Sequence, residues 1–321
     1  MKEFQIINEF FLNLAKNNRS SLNLNDDVFF YKNKKLVISV DTYVNGNHFL
    51  NFNDPELVIK KIIRSSISDL VCKGAKPKFY FISGSGNKKY FNKKNLYAIT
   101  KALRSEQKKY DIKLSGGDTV KSKELSFTII AIGFSSNIVL RNKAKNNDHI
   151  YITGKIGDSF IGLNCLKKKI NLTPKLKRYF IQKYYLPNIK YKFTNDLLKF
   201  ANTSIDVSDG LFADMDKLIN SQNLKYKLFL NNIPISNYLK KILIEKKIAK
   251  SKVVSNGDDY QILFTVDPKK SRIIERLAKK TNTKITKIGF IDNSLKTSEI
   301  IDENGHKILI KNKGYEHLFW S

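Results

Sequence analysis

Apolar and polar positions along this chain follow two different periods. Residues 36–42, LVISVDT, put β-branched side chains in period-two alternation, the mark of a strand. Residues 124–134, ELSFTIIAIGF, predict a long buried strand, and HIYITG (149–154) a second strand-rich start after the polar RNKAKNND. Between them DPELVIKKIIRSSISDLVCKGAKP (54–77) predicts a helix: Asp54 can cap it, Pro55 takes its first position, Gly74 ends it and Pro77 follows. Its apolar stripe is Val58, Ile59, Ile62, Ile63, Ser66 and Leu70. The later half predicts a helix after Gly157-Asp158-Ser159, a strand–helix unit over 204–220, and strands QILFTVD (261–267) and TKITKIGFI (283–291). This succession fits two αβ domains in tandem, α+β in class rather than a pure βαβ alternation. The break falls near residues 138–145, giving an N-terminal domain over 1–140 and a C-terminal domain over 141–321.

The first 21 residues, MKEFQIINEFFLNLAKNNRSS, mix charges with apolar positions and read as an amphipathic helix. A secretory signal would show a basic start and a clean apolar stretch, and no run of about 18 apolar residues offers a membrane span. Cys72 and Cys165 have neither metal-ligand nor disulfide-framework spacing. The expectation is a cytoplasmic protein without a membrane partner.

Charge changes the picture less than its size suggests. There are 58 Lys and Arg against 29 Asp and Glu, a net +29, which invites a nucleic-acid reading. The lysines, however, are scattered over every segment, alongside the Asn, Ile, Phe and Tyr expected from A/T-rich codons. Clusters such as LKKKI and EKKIAK read as solvated helix faces. No nucleic-acid motif accompanies the charge, so attraction for small anions is the safer inference.

In so basic a chain the acids carry the chemistry. Asp26 and Asp27 stand in NLNDDVFF, Asp41 closes LVISVD, Asp118 follows the glycine pair of LSGGDT, and Asp206 and Asp209 bracket Ser208 in IDVSDG. At about 100° per residue, Asp69 falls between Val58 and Ile62 on the apolar stripe of its helix. A carboxylate there needs a cation or donors, although a hydrogen-bonded structural aspartate would also satisfy the pattern. Ser208 or Asp209 could be a plain helix cap, but that leaves Asp206 unexplained. Converging carboxylates suit hard divalent cations, and Mg²⁺ binds through carboxylates and nucleotide phosphates. Backbone donors at the helix opened by Gly210 would add a phosphate site.

Several motifs are absent. There is no GxxxxGK[ST] loop; SGSGNKK (83–89) has other spacing and reads as a flexible turn. Asp206-Val-Ser-Asp209 lacks the spacing of an aspartyl-phosphate nucleophile, and no Ser–His–Asp or Cys–His arrangement is suggested. His48, seven residues past Asp41, could reach the same cleft.

Taken in order, NDD, VDTYVNGNHF, ISDLVCKGAKP, SGGDT, RNKAKNNDHIYITGKIGDSFIGL, YLPN, IDVSDGL, NGDDYQILFT and GYEHLF span nearly the whole chain. Together they resemble the thiamine-monophosphate kinases, of the superfamily of aminoimidazole ribonucleotide synthetase and selenophosphate synthetase. The resemblance implies phosphorylation of thiamine monophosphate to thiamine diphosphate, the last step of that cofactor's synthesis. ATP would donate by direct in-line transfer with several Mg²⁺ ions. It implies a homodimer pairing the N-terminal sheets, and a C-terminal αβ sandwich. Carried over by position, Asp27, Ser39, Asp41, Asp69, Asp118, Asp206 and Asp209 would hold metal. Tyr110, Gly117, Asp118, Arg141 and Ser208 would contact ATP, and His48, Asp258 and Tyr315 the thiamine phosphate. Asp69, Asp118 and Arg141 would be catalytic. The chain departs from the family pattern at Asn25, Val40 and Ser66, and Asp258 stands one methylene short of the family's glutamate. A sister synthetase with another substrate is the alternative; selenophosphate synthetase would carry a cysteine ahead of the first acids, where this chain has none before Cys72. A basic nucleic-acid binder would leave the ordered acids without a role.

Overall fold

The computed structural model describes residues 2–316. Two sheets form, and one long helix lies between them. The first half contains α1 (Glu3–Ile6), β1 (Phe29–Tyr31), β2 (Leu36–Val44), α2 (Pro55–Cys72), β3 (Lys76–Gly86), α3 (Lys93–Tyr110), β4 (Lys113–Lys121) and β5 (Ser126–Phe134). Its sheet runs in the order β1-β2-β5-β3-β4, antiparallel except for the parallel β3–β4 pair. The second half contains β6 (His149–Thr153), α4 (Asp158–Leu166), α5 (Pro174–Tyr185), α6 (Thr194–Leu197), β7 (Ala201–Asp206), α7 (Leu211–Leu218) and β8 (Tyr226–Phe229). There follow α8 (Asn237–Glu245), α9 (Lys250–Val254), β9 (Ile262–Val266), α10 (Ser271–Lys280), β10 (Ile285–Ile291), β11 (Glu299–Ile301) and β12 (Lys307–Ile308). Seven of its strands make a mixed sheet in the order β12-β11-β8-β10-β6-β9-β7. The α+β class is therefore observed, with a sheet in each half.

Helix α2 explains how the halves join. Its start is the one read from the sequence: the Asp54 side chain accepts from the Leu57 N–H at 3.0 Å, with Pro55 in the first turn. At the other end Gly74 takes a left-handed φ of 78°. One side of α2 packs on β2, β5 and β3, the other on β7, α5 and α6. Sandwiched in this way it buries positions all round, including Lys61, Arg64, Ser65 and Ser68, so its basic residues do not form a solvated face. One apolar cluster, holding Ile62, Tyr80, Phe193 and Phe264, runs through both halves.

Three sequence expectations change. Residues 2–24 do not form one amphipathic helix: four residues of α1 give way to a wide π turn and two 3₁₀ turns, none with a buried residue. Asn18 caps the last turn by accepting from the Ser20 N–H, and Leu22 and Asn23 adopt left-handed conformations. Of SGSGNKK, SGSG is the end of strand β3 and the turn begins only in the NKK that follows; Gly84 and Gly86 leave room for the Phe91 ring, which a Cβ on either would meet at 3.2 Å. LKKKI and EKKIAK are helix exits, with Lys168 and Lys247 at positive φ. Among the described residues no helix is long and apolar enough to cross a membrane. The HLF of GYEHLF lies outside the described residues.

Candidate active site

Three carboxylates meet where α2 passes between the sheets. Alternation along β2 turns Val37, Ser39, Asp41 and Tyr43 toward α2. Helical spacing sets Ser66 and Asp69 against them: Ser39 Oγ donates to Asp69 Oδ2 at 2.5 Å, and the Tyr43 hydroxyl lies 2.9 Å from Ser66 Oγ and 3.2 Å from Asp41 Oδ2. From the opposite side β7 ends in Asp206, whose Oδ2 accepts from Ser68 Oγ at 2.6 Å. Burial raises the pKa of all three acids. The charges of Asp41 and Asp206 push Asp69 up further, and Asp206 is pushed up to about 6. Among the described residues none of the three forms an ion pair, and no three acids already surround one point as a finished metal cage. Their donor set, carboxylate and hydroxyl oxygens with mutually repelling charge, fits a hard divalent cation.

Beside this group lies a second, already neutralised one. Lys73 Nζ is 2.9 Å from Asp26 Oδ1 and 2.8 Å from Asp27 Oδ2. The Arg141 N–H donates to Asp26 Oδ2 at 2.9 Å, its Nε to Asp27 Oδ2 at 3.3 Å, and its Nη2 to Asp27 Oδ1. Arg141 Nη1 is buried with no hydrogen-bond partner among the described residues, a donor suited to a phosphate oxygen. Arg141 borders a hollow of about 1080 Å³ also lined by Lys16, Arg19, Lys143 and Lys217.

The turn from β7 to α7 interlocks with the loop before β9. A Cβ on Gly257 would lie 1.7 Å from the Ser208 carbonyl oxygen, and one on Gly210 2.1 Å from that of Ser255. This close approach lets the Asp258 and Tyr260 N–H groups donate to Ser208 and Val207 carbonyls, both at 2.8 Å. The N–H groups just ahead of α7 are not free for phosphate. The Asp209 and Gly210 N–H groups both donate to Asp214 Oδ2 at 3.0 Å, and burial with the Asp209 charge pushes Asp214 up to about 8. Asp209 itself is paired with Lys217.

A cleft of about 420 Å³ opens beside the three acids, with Asp41, Asp69, His48, Ser208, Asp209, Asp258 and Tyr315 in its walls. The His48 ring packs edge-on against Tyr43, and its Nδ1 accepts from the Val44 N–H at 3.0 Å. Asp258 pairs at 2.7 Å with the buried Lys61, whose ammonium lies 3.6 Å from the Tyr184 ring centroid. Tyr315 is half exposed and its N–H donates to the Asp209 carbonyl.

Three expected residues lie elsewhere. Asp118 and Gly117 are on the exposed edge strand β4, and the register sets Asp118 in a row with Ser83, Thr128 and Thr42 on the face that α2 does not cover. Asp41 is on the covered face three strands away, roughly 14 Å at about 4.8 Å per strand. Gly117 is required there: a Cβ would lie 1.8 Å from the Ile82 carbonyl oxygen. Tyr110 is in the core, against Tyr191 and Arg64, rather than at the cleft. Sequence reasoning missed Tyr43, Ser66, Ser68, Lys61, Lys73 and Asp214; the only signal was the serine-rich RSSIS on a helix otherwise apolar.

Comparison with known proteins gives the same chemistry a context. The family model "AIR synthase related protein, N-terminal domain" matches residues 25–135. The thiamine-monophosphate kinase of Buchnera aphidicola subsp. Schizaphis graminum (strain Sg) is 34% identical over 324 residues, covering 98% of each chain. That of Buchnera aphidicola subsp. Acyrthosiphon pisum (strain APS) is 33% identical over 328 residues, again covering 98% of each. Among solved structures, AaThiL complexed with AMPPCP and TMP superposes with a TM-score of 0.84 at 26% identity, covering 99% of this chain and 97% of its own.

Proposed function

Since the chain belongs to the thiamine-monophosphate kinase family, we infer that its ATP-dependent phosphorylation of thiamine monophosphate takes place beside Asp41, Asp69 and Asp206. One observation carries this reading: the half-buried carboxylates of Asp41 and Asp69 line a cleft, the buried Asp206 lies beside them, and among the described residues no lysine or arginine is bonded to any of the three. Mg²⁺ would be held by Asp41, Asp69 and Asp206, with Ser39 beside them. When bound it would offset charge on the phosphate oxygens.

The rest of the work falls to the chain. Arg141, with its unpartnered Nη1, and Ser208 are assigned to ATP, whose phosphates suit the lysine- and arginine-lined hollow next to Arg141. His48, Asp258 and Tyr315 are assigned to thiamine monophosphate in the smaller cleft. A phosphate oxygen of thiamine monophosphate attacks the γ-phosphorus in line, the bond from that phosphorus to the β,γ-bridging oxygen breaks, and ADP leaves. A phosphate dianion needs little help from a base. Two unit charges about 4 Å apart repel by roughly 4 kcal/mol at an effective dielectric near 20, so positioning and charge stabilisation are the main catalytic work. Asp118 and Gly117 are left out of the set within one chain. A homodimer through the uncovered sheet face is part of this reading, supported by the exposed Val40, Ile130 and Phe134 there. A cytoplasmic setting agrees with two buried, unpaired cysteines.

Purified protein is to be incubated with ATP, Mg²⁺ and thiamine monophosphate, with aminoimidazole precursors alongside. Thiamine diphosphate should form, and chelation by EDTA should stop it. Turnover that survives EDTA would remove magnesium from the reading, and product only from an aminoimidazole precursor would replace the substrate.

A further inference from the structure

The resemblance to the kinase family expects Asp27 to hold metal, yet the chain surrounds this residue with cations of its own. Lys73 closes α2 and has no solvent exposure. Its ammonium contacts Asp26 Oδ1 and Asp27 Oδ2 and donates to the Ser204 carbonyl at 2.7 Å, so three oxygens, two of them anionic, surround it. Arg141 closes the same pair of acids from the other side. The backbone beneath it is held on both sides: Lys73 N–H bonds back into α2, its carbonyl accepts from Val139 N–H at 3.0 Å, and the ammonium reaches across to β7.

We propose that the Lys73 ammonium is a built-in cation that takes the place of a divalent metal ion at the Asp26–Asp27 pair, confining magnesium to the Asp41–Asp69–Asp206 side. The charge distribution supports this. Asp26 and Asp27 are met by two positive charges, while among the described residues Asp41, Asp69 and Asp206 have none bonded to them. A divalent ion placed between Asp26 and Asp27 would face a fully buried ammonium already bonded to both carboxylates. A covalently held cation also costs no binding entropy and is insensitive to magnesium concentration, so this half of the acid cluster stays assembled without metal.

The proposal rests on the magnesium reading above, and metal counting separates the two. Mn²⁺ bound per chain is counted by electron paramagnetic resonance of the free ion, in the presence of AMPPCP, for the wild-type chain and for Lys73→Met. Methionine keeps the length of the stem and removes the charge, so the variant should bind one Mn²⁺ more than the wild type. Equal or lower counts overturn the inference, and a wild-type count of zero overturns the magnesium reading as well. Should Lys73→Met fail to fold without metal, Asp27→Asn in the wild-type background provides the second reading. Its Mn²⁺ count should equal that of the wild type, and the loss of one ion would show that Asp27 holds metal after all.

Discussion

Removing the Asp69 carboxylate should separate chemistry from folding. Asp69 is half-buried and desolvated, repelled by Asp41 and Asp206, and among the described residues its carboxylate accepts a single hydroxyl, that of Ser39. Asp69→Ala should lower kcat on the order of 10²–10³-fold, the scale for one preorganised charge-stabilising group. In EDTA its Tm should equal or exceed the wild-type value, because a costly buried charge is gone. Activity within a few-fold of wild type would remove Asp69 from the site. Asp206 makes the same point through pH. Its folded pKa, about 6, lies above the ordinary 3.8, so between these values the folded state holds more protons than the unfolded one. Stability of the metal-free protein should therefore fall as pH rises from about 4 to 6, on the order of 3 kcal/mol at about 1.4 per unit. Metal binding must displace that proton, so magnesium affinity should rise over the same window. Thermal melts in EDTA at pH 4.5 and 6.5 check this: the drop should shrink in Asp206→Asn, and an unchanged drop would clear Asp206. These acids were legible because Asp206 closes an apolar segment and Asp69 interrupts the apolar stripe of a helix. Lys73 and Ser68 were not, since nothing in a sequence distinguishes a buried lysine or serine on a helix from a solvated one.

The elements were legible where local chemistry fixes them and illegible where tertiary placement decides. Asp54, Pro55 and Gly74 marked the ends of α2 correctly because caps are local. The single apolar stripe read for α2 understated its burial, because a one-stripe wheel assumes one buried side and this helix has two. Arg64 shows the consequence. Its side chain is 8% exposed and forks onto Glu106 at 2.8 and 2.9 Å, with Glu106 on α3 only 1% exposed. Glu106→Ala would leave a guanidinium in the core with the Pro187 carbonyl, at 3.3 Å, as its one hydrogen-bond acceptor among the described residues. The loss should be about 3–5 kcal/mol, as expected when one member of a buried pair is removed. Urea unfolding measures it, and a loss below about 1 kcal/mol would mean that water reaches Arg64. At the N-terminus the apolar spacing suggested one helix, but Asn18 and the left-handed Leu22 and Asn23 turn the chain before a helix can run on.

At the scale of the whole molecule, the α+β class and both sheets could be read from alternation, but strand order could not. Asp118 shows the gap: its glycine-flanked motif is visible in the sequence, whereas its position on the uncovered face of an edge strand depends on β3 pairing with both β4 and β5. The same face carries a contiguous apolar path, with Val40 paired to Ile130 and Phe79 packed edge-on against Phe134. Val40 is 62% exposed, too much for a strand residue flanked by apolar neighbours unless another surface covers it. The proposed homodimer would supply that cover, so Val40→Lys, which would place an unpaired charge in the contact, should convert a dimer into a monomer. Light scattering after size exclusion decides between them. Kinase activity should fall together with the dimer, because Asp118 and Gly117 lie on the face that would lose its cover. A wild-type chain that elutes as a monomer at micromolar concentration while fully active would show that this face has no such partner.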